Sequence, residues 1–309
     1  MKGTAFVTGA SGFLGRNVAR CLAEHGFHVS GIGHDNWQGR PPSEWGIDFW
    51  RTADVTLGVL EELAHNAGEP AVIAHCVGGA SVAFSLDHPR EDFHSTVSTA
   101  LDVLEFARRR APRVRVVYPS SAAVYGQANV TPLRETAPLA PISPYGLHKR
   151  MVEDLFIYYS AHWKVPAAVV RFFSLYGEEL RKQLLWDACN KARNGKFSFF
   201  GTGDELRDWL HVSDAAQLLC LAVENACVHC PILNGGTGKG LTIREVLTQL
   251  GLLWSPRLVP EFSKISKLGD PCHLVAEIGR AQSWGFVPKV ELASGLAGYV
   301  SWFRKEFRL

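Results

Sequence analysis

Residues 4–15 read Thr-Ala-Phe-Val-Thr-Gly-Ala-Ser-Gly-Phe-Leu-Gly, a β-prone run that stops at a G-x-x-G-x-x-G spacing and passes straight into a helical pattern. Phe13, Leu14, Val18, Ala19 and Leu22 recur at helical spacing up to Glu24-His25-Gly26, so they share one face. Each glycine in such a loop answers a steric demand. At Gly9 the backbone can turn tightly, at Gly12 it can approach a pyrophosphate, and at Gly15 helix and sheet can pack closely. The first N–H groups of the helix have no internal partner, which makes the loop an anion cradle. A dinucleotide is the expected occupant, contacted by Gly9, Ser11, Gly12, Phe13, Leu14 and Gly15.

Further strand-like runs lie at 29–32, 71–74, 114–118 and 167–170, with helical patterns near 56–66, 89–110 and 144–163. That alternation predicts right-handed βαβ units and a doubly wound α/β fold, a parallel sheet covered on both faces. After residue 174 short helices and strands mix with Gly/Pro turns such as Gly201-Thr-Gly203, Asn234-Gly-Gly236 and Pro256. The expected domains are therefore a dinucleotide-binding unit over 1–173, rejoined by about 211–240, and a smaller α/β substrate lobe over the rest of 174–309. A chain of 309 residues has room for both cores.

Lys and Arg total 32 against 30 Asp and Glu, a net charge of +2, so nothing electrostatic points to nucleic acid or to an anionic membrane. Arg108-Arg109-Arg110 reads as a helix end, where cations meet the negative dipole, rather than as a basic patch. No run of 18 apolar residues predicts a membrane span, and the glycine loop interrupts the first apolar run too early for a signal peptide. Seven cysteines, an odd number without a secretory signal, predict reduced thiols in the cytoplasm.

The dinucleotide is not settled by the second strand, which ends Gly31-Ile32-Gly33-His34-Asp35. A ribose-binding acid belongs at that end. Glycine stands there instead, followed by His34, where NADP enzymes often carry a cation, and by Asp35, which can still reach a ribose. Asp54 and Val55, just past the third strand, are placed to meet the adenine edge. NAD is the expectation and NADP stays open.

Tyr145 and Lys149 are four residues apart, hence on one helix face, and Ser143-Pro144 starts that helix. A phenol near pKa 10 is a poor base at neutral pH, and adjacent positive charge lowers it. Lys149 and an oxidised nicotinamide can both supply that charge. The fifth strand ends Tyr118-Pro119-Ser120-Ser121, at the sheet edge where ligands bind, so a serine hydroxyl is available to the reacting oxygen.

Together these residues resemble the extended short-chain dehydrogenase/reductases, in the NAD-dependent epimerase/dehydratase branch that modifies nucleotide sugars. The resemblance covers nearly the whole chain. It includes His75-Cys76-Val77-Gly78, Ser-Ser-Ala-Ala-Val-Tyr-Gly at 120–126, Ser-Pro-Tyr-Gly-Leu-His-Lys at 143–149, Arg-Phe-Phe-Ser-Leu-Tyr-Gly at 171–177 and Arg207-Asp208-Trp209-Leu210-His211-Val212-Ser213-Asp214. It implies a Rossmann sheet and Ser121, Tyr145 and Lys149 as the catalytic trio, with Tyr145 and Lys149 also touching the cofactor. It further implies Val77 and Phe173 beside the dinucleotide and Ser121 and Ser174 on the substrate. Arg207 falls where the family clamps a sugar-nucleotide diphosphate, and Lys267 where many members have a second arginine. A homodimer built from the helices near 89–110 and 144–163 is implied as well. The expected activity is epimerisation by oxidation of a sugar hydroxyl and re-reduction of the keto intermediate. The alternative is an NADPH-dependent reductase of a 4-keto-6-deoxy sugar. Ala122 and Ala123 replace the Asp-Glu of the branch's dehydratases, which removes the groups for 4,6-dehydration, while Thr96 and Ser174 replace family asparagines.

Cys227-Val-His229-Cys230, with Cys220 nearby, lacks a second ligand pair, so no metal site is expected there. His148, three residues after Tyr145, reads as helix surface or interface. Trp37, Trp45 and Trp50 read as packing of the long loop after the second strand.

Overall fold

The computed structural model describes residues 2–34, 37, 40–79, 81–111, 113–127, 131–265 and 273–308, so Asp35 and Lys267 lie outside the described residues. Strand β1 (Thr4–Thr8) explains the central layer. Its Phe6 packs into one core while Ala5 and Val7 pack into another, all fully buried. A strand apolar on both sides needs cover on both sides. The cover on one face comes from α1 (Phe13–Glu24), through Val18, Ala19 and Leu22. On the other it comes from α2 (Leu57–Ala67), through Leu60 and Leu63. Each such side chain taken wholly out of water contributes about 1.5–3 kcal/mol before entropy is counted.

β2 (His28–Gly33) and β3 (Phe49–Thr52) extend the sheet on one side of β1. On the other side lie β4 (Pro70–His75), β5 (Arg115–Ser121) and β6 (Ala167–Phe172). The order is β3-β2-β1-β4-β5-β6 and every pairing is parallel. It reverses direction between β1 and β4, and the crevice beyond the carboxyl ends of strands at such a switch point takes ligands. Thr8 is in register with His75, and Ser121 with Phe172, so these residues share that edge.

Between β4 and β5 the helix expected near 89–110 forms without a break, but it carries a π turn. After α3 (Val82–Asp87) come α4 (Pro89–Phe93), a π turn at His94–Ser98, and α5 (Thr99–Arg110). The three arginines do end α5. α6 (Pro144–Trp163) starts with Pro144 in its first turn and the Ser143 hydroxyl accepting the Gly146 N–H at 3.2 Å.

The second lobe contains β7 (Ser174–Tyr176), α7 (Gln183–Arg193), β8 (Ser198–Phe199) and β9 (Leu206–His211). The chain then returns to the large sheet. α8 (Val212–Asn225) packs on α1, and β10 (Ile232–Gly235) pairs with β6 as the seventh parallel strand. β11 (Gly240–Thr242), α9 (Ile243–Trp254), β12 (Glu261–Phe262), α10 (Gly279–Ser283) and α11 (Leu292–Glu306) complete the fold. β9 sits between β7 and β11, and Leu185, Leu247, Leu296 and Phe303 fill a separate core. Arg16 of α1, itself buried, reaches the second lobe through Glu179 at 3.3 Å. Among the described residues no helix is long and apolar enough to cross a membrane.

Candidate active site

The glycine loop has the stereochemistry its spacing requires. Gly9 adopts φ +65°, and a side chain there would meet the Cys76 carbonyl and the Val77 amide at 3.0 Å. A side chain at Gly15 would overlap the Gly9 carbonyl. The Gly12 N–H donates to the Gly9 carbonyl at 2.9 Å, and no side chain caps the start of α1. The amides of its first turn are therefore left for an anion, and a dinucleotide pyrophosphate fits. Phe13 leans on the second lobe's core and Leu14 on the first.

The Ser11 hydroxyl donates to the His34 carbonyl at 2.7 Å, tying the loop to the end of β2. His34 Nε2 and Asp54 Oδ1 are 2.8 Å apart with side chains 77% and 83% exposed. Val55, by contrast, is buried in the core beside α2, so its side chain supports the site from beneath rather than facing a ligand. Trp50 explains the glycines of β2. Side chains at Gly31 or Gly33 would come within about 3.1 Å of its ring. It is a strand residue rather than loop packing, and Trp37 packs edge-on against it at 4.7 Å.

Ser121, Tyr145 and Lys149 come together at the switch-point edge. The Ser121 oxygen accepts the Ala123 N–H at 3.2 Å. Burial pushes the Tyr145 phenol above its ordinary value, the nearby Ser121 hydroxyl pulls it back, and the Asp92 carboxylate pushes it further up. Lys149 Nζ lies 5.8 Å from the Tyr145 ring centre and 4.7 Å from that of Tyr118, and donates to the Pro119 carbonyl at 3.2 Å. Burial lowers Lys149 to about 8, with Asp92 the largest opposing influence. Lys149 alone does not bring Tyr145 below 10. The remaining positive charge would be that of a bound oxidised nicotinamide.

Several contacts around the trio escaped the sequence reading. His148 is buried, not at the surface, and its Nδ1 lies 2.6 Å from Asp92 Oδ2. Asp92 Oδ1 is buried without a hydrogen-bond partner and fills the space a side chain at Gly79 would need. Thr96, in the π turn, accepts the Gly79 N–H at 2.8 Å, so the replaced asparagine's position still holds the Val77–Gly79 backbone. The Tyr145 N–H donates to the Ser85 hydroxyl at 3.0 Å. His75, fully buried between Thr8 and Thr99, is driven to about 3 by burial and then by Lys149, and is neutral. Glu153, one turn beyond Lys149, accepts from Ser120 at 2.5 Å and from Arg171 at 2.7 Å. The network continues from Arg171 to Tyr125 and Asn234 at 3.0 and 2.6 Å. None of these contacts left a local signal; the fold alone joins them.

Phe173 is buried at the end of β6 with its N–H on the Gly235 carbonyl at 3.0 Å, and Ser174 opens β7 half-buried. Arg207 is half-buried on β9, between Leu241 and Leu274. Its neighbour Asp208 points to the other face of the strand. There Asp208 is fully buried and accepts from the Thr237 N–H and hydroxyl at 2.7 Å, Gly238 at 2.9 Å and Ala276 at 3.2 Å.

A dinucleotide-binding α/β oxidoreductase site of this construction, with Ser, Tyr and Lys at the switch point, defines a class. The chain belongs to the NAD-dependent epimerase/dehydratase family, whose pattern matches residues 5–234. It is 29% identical over 324 residues to a UDP-glucose 4-epimerase of Azospirillum brasilense, covering 96% of this chain and 91% of that one. A UDP-glucose 4-epimerase of Corynebacterium glutamicum is 28% identical over 301 residues, covering 92% and 90%. Among solved structures, the UDP-glucose 4-epimerase of Thermotoga maritima with UDP-glucose superposes with a TM-score of 0.88 at 26% identity, over 98% and 99% of the two chains. MoeE5 in complex with UDP-glucuronic acid and NAD superposes with a TM-score of 0.85 at 26% identity, over 98% and 100%.

Proposed function

We propose that this chain is an NAD-dependent epimerase of nucleoside diphosphate sugars, with a UDP-hexose as substrate and C4 as the inverted centre, as the names of its relatives suggest. The observation that carries the reading is the gathering of Ser121, the Tyr145 phenol and the Lys149 ammonium, 5.8 Å from the Tyr145 ring centre, at the sheet edge above the glycine cradle. Bound dinucleotide would supply a hydride acceptor and, on return, a hydride donor. Tyr145 takes the proton of the sugar hydroxyl as its carbon gives up hydride, so a C=O bond forms. Ser121 holds the reacting oxygen, and Lys149 keeps positive charge next to the phenolate. Hydride supplied by a bound dinucleotide to the opposite face would invert the centre, with Tyr145 giving the proton back. An exposed carboxylate, Asp54, paired with His34 favours a ribose hydroxyl over a 2′-phosphate, which supports NAD over NADP. The reading includes a homodimer, and a reducing cytoplasmic location supported by the six described cysteines, all free thiols.

The test is interconversion of UDP-glucose and UDP-galactose with NAD and no net dinucleotide turnover. Steady consumption of NADPH would instead favour the ketosugar reductase. Tyr145→Phe should lower the rate by about 10²–10⁴ with NAD affinity kept; near-normal turnover would sink the assignment. Arg207 is proposed to clamp the diphosphate, since a guanidinium can match two oxygens at once. Arg207→Lys should weaken substrate binding by about 1–3 kcal/mol without changing NAD affinity. Unchanged sugar-nucleotide binding in Arg207→Ala would place the diphosphate elsewhere.

A further inference from the structure

At the opposite edge of the large sheet, away from the dinucleotide loop, a cavity of about 470 Å³ is lined by residues that include Lys2, His25, Arg113, Arg115, Cys220 and Glu224. Behind it α1 and α8 bring two buried thiols together. Cys21 and His25 are one turn apart at the end of α1, and Cys220 stands on the facing turn of α8. Cys220 Sγ is 2.7 Å from Cys21 Sγ, and Cys21 Sγ is 3.7 Å from His25 Nδ1. One ligand atom from each of the three lies within 4.8 Å of the other two. The His25 Nδ1 contact with the Cys21 carbonyl, 2.7 Å, requires the proton on Nδ1, because a carbonyl oxygen only accepts. Nδ1 is also the ring nitrogen beside Cys21 Sγ, so a bound cation would take the place of that proton, which moves to Nε2.

Lys2, Arg113 and Arg115 outnumber Glu224 around the cavity and favour thiolates. Two thiolates cancel a dication, leaving little net charge to desolvate. We propose that Cys21, His25 and Cys220 form a site for a thiophilic divalent cation of the zinc class, with water or Glu224 from the cavity in the fourth position. Thiolates on tetrahedral zinc stand about 3.8 Å apart, so the sulfurs part by roughly 1 Å through side-chain rotation. The ion ties the end of α1, whose start forms the dinucleotide loop, to α8, which follows Arg207 and β9. The two cysteines are 199 positions apart, and only the fold pairs them.

Reduced, chelator-treated full-length protein titrated with Co²⁺ should bind one equivalent and develop thiolate-to-cobalt charge-transfer absorption. Zn²⁺ should abolish that absorption and raise Tm. Cys220→Ser should lose at least half the absorption and bind Co²⁺ roughly 10–100-fold more weakly. His25→Gln, at a half-buried position that leaves the helix packing intact, should weaken binding by a similar factor, and Cys227→Ser should change nothing. No absorption in the wild type, absorption that Cys220→Ser leaves intact, or a Cys21–Cys220 disulfide that persists in reducing buffer would overturn the site.

Discussion

Lys149 is a cation that its surroundings only partly want. Its folded value near 8 lies below the ordinary lysine value of 10.5 because burial penalises the charge more than Asp92, Cys76 and Glu153 relieve it. The cost is fully present below pH 8 and fades as pH rises toward 10.5, where the unfolded chain also gives up the proton. Lys149→Met should therefore stabilise the protein at pH 7 by on the order of 2 kcal/mol while abolishing turnover, and the gain should shrink by pH 10. Urea unfolding at the two pH values checks this. A destabilised variant, or a gain independent of pH, would show that burial does not set the lysine's charge. Tyr145 and Lys149 were legible in the sequence because one helix turn separates them and a helix start precedes them. The Asp92–His148 pair was not, since 56 residues separate partners that meet only when α4 packs on α6. A buried polar partner leaves no periodic trace on its own strand or helix.

At the scale of elements, the β1–loop–α1 crossing depends on Gly15 having no side chain. Gly15→Ala drives a methyl into the Gly9 carbonyl, so α1 must shift from the sheet. The expected loss is about 1–3 kcal/mol of stability together with NAD binding, measured by thermal unfolding and calorimetry. Gly58→Ala is the control. It sits early in α2 with nothing within 4 Å, and should stabilise by up to about 1 kcal/mol through helix propensity alone. Normal NAD affinity in Gly15→Ala would mean that the crossing tolerates a shift the geometry forbids. The five inner parallel strands were readable because burial on both faces makes them continuous apolar runs, which the largely exposed edge strand β3 is not. The π turn at 94–98 was not, because one extra residue per turn hardly disturbs an apolar period, although it is this turn that places Thr96 against Gly79. Nor does a glycine-ended β2 announce that Trp50 of β3 covers it.

For the whole molecule, the homodimer proposed above would rest on the surface of α6. Leu147, Met151 and Tyr158 recur four and eleven residues apart and are 47%, 36% and 50% exposed, with Ile157 at 42% and Leu101 of α5 at 41%. Scattered apolar side chains on a surface are ordinary, but an apolar stripe along the outer face of a 20-residue helix is the mark of an interface. The same helix carries Tyr145 and Lys149 in its first two turns, so pairing α5 and α6 with those of a second copy would also brace the catalytic residues. A stable pair needs about 1,000 Å² or more of buried surface, which two helices from each copy can supply. The protein should sediment at about twice the chain's 34.0 kDa at micromolar concentration. Met151→Glu/Tyr158→Glu, which places like charges in the stripe without touching the trio, should shift it to the monomer mass and lower Tm. Turnover should fall while NAD still binds, because the glycine cradle lies on other elements. A wild-type mass of one chain, or a doubly charged variant that remains paired, would remove α6 as the interface.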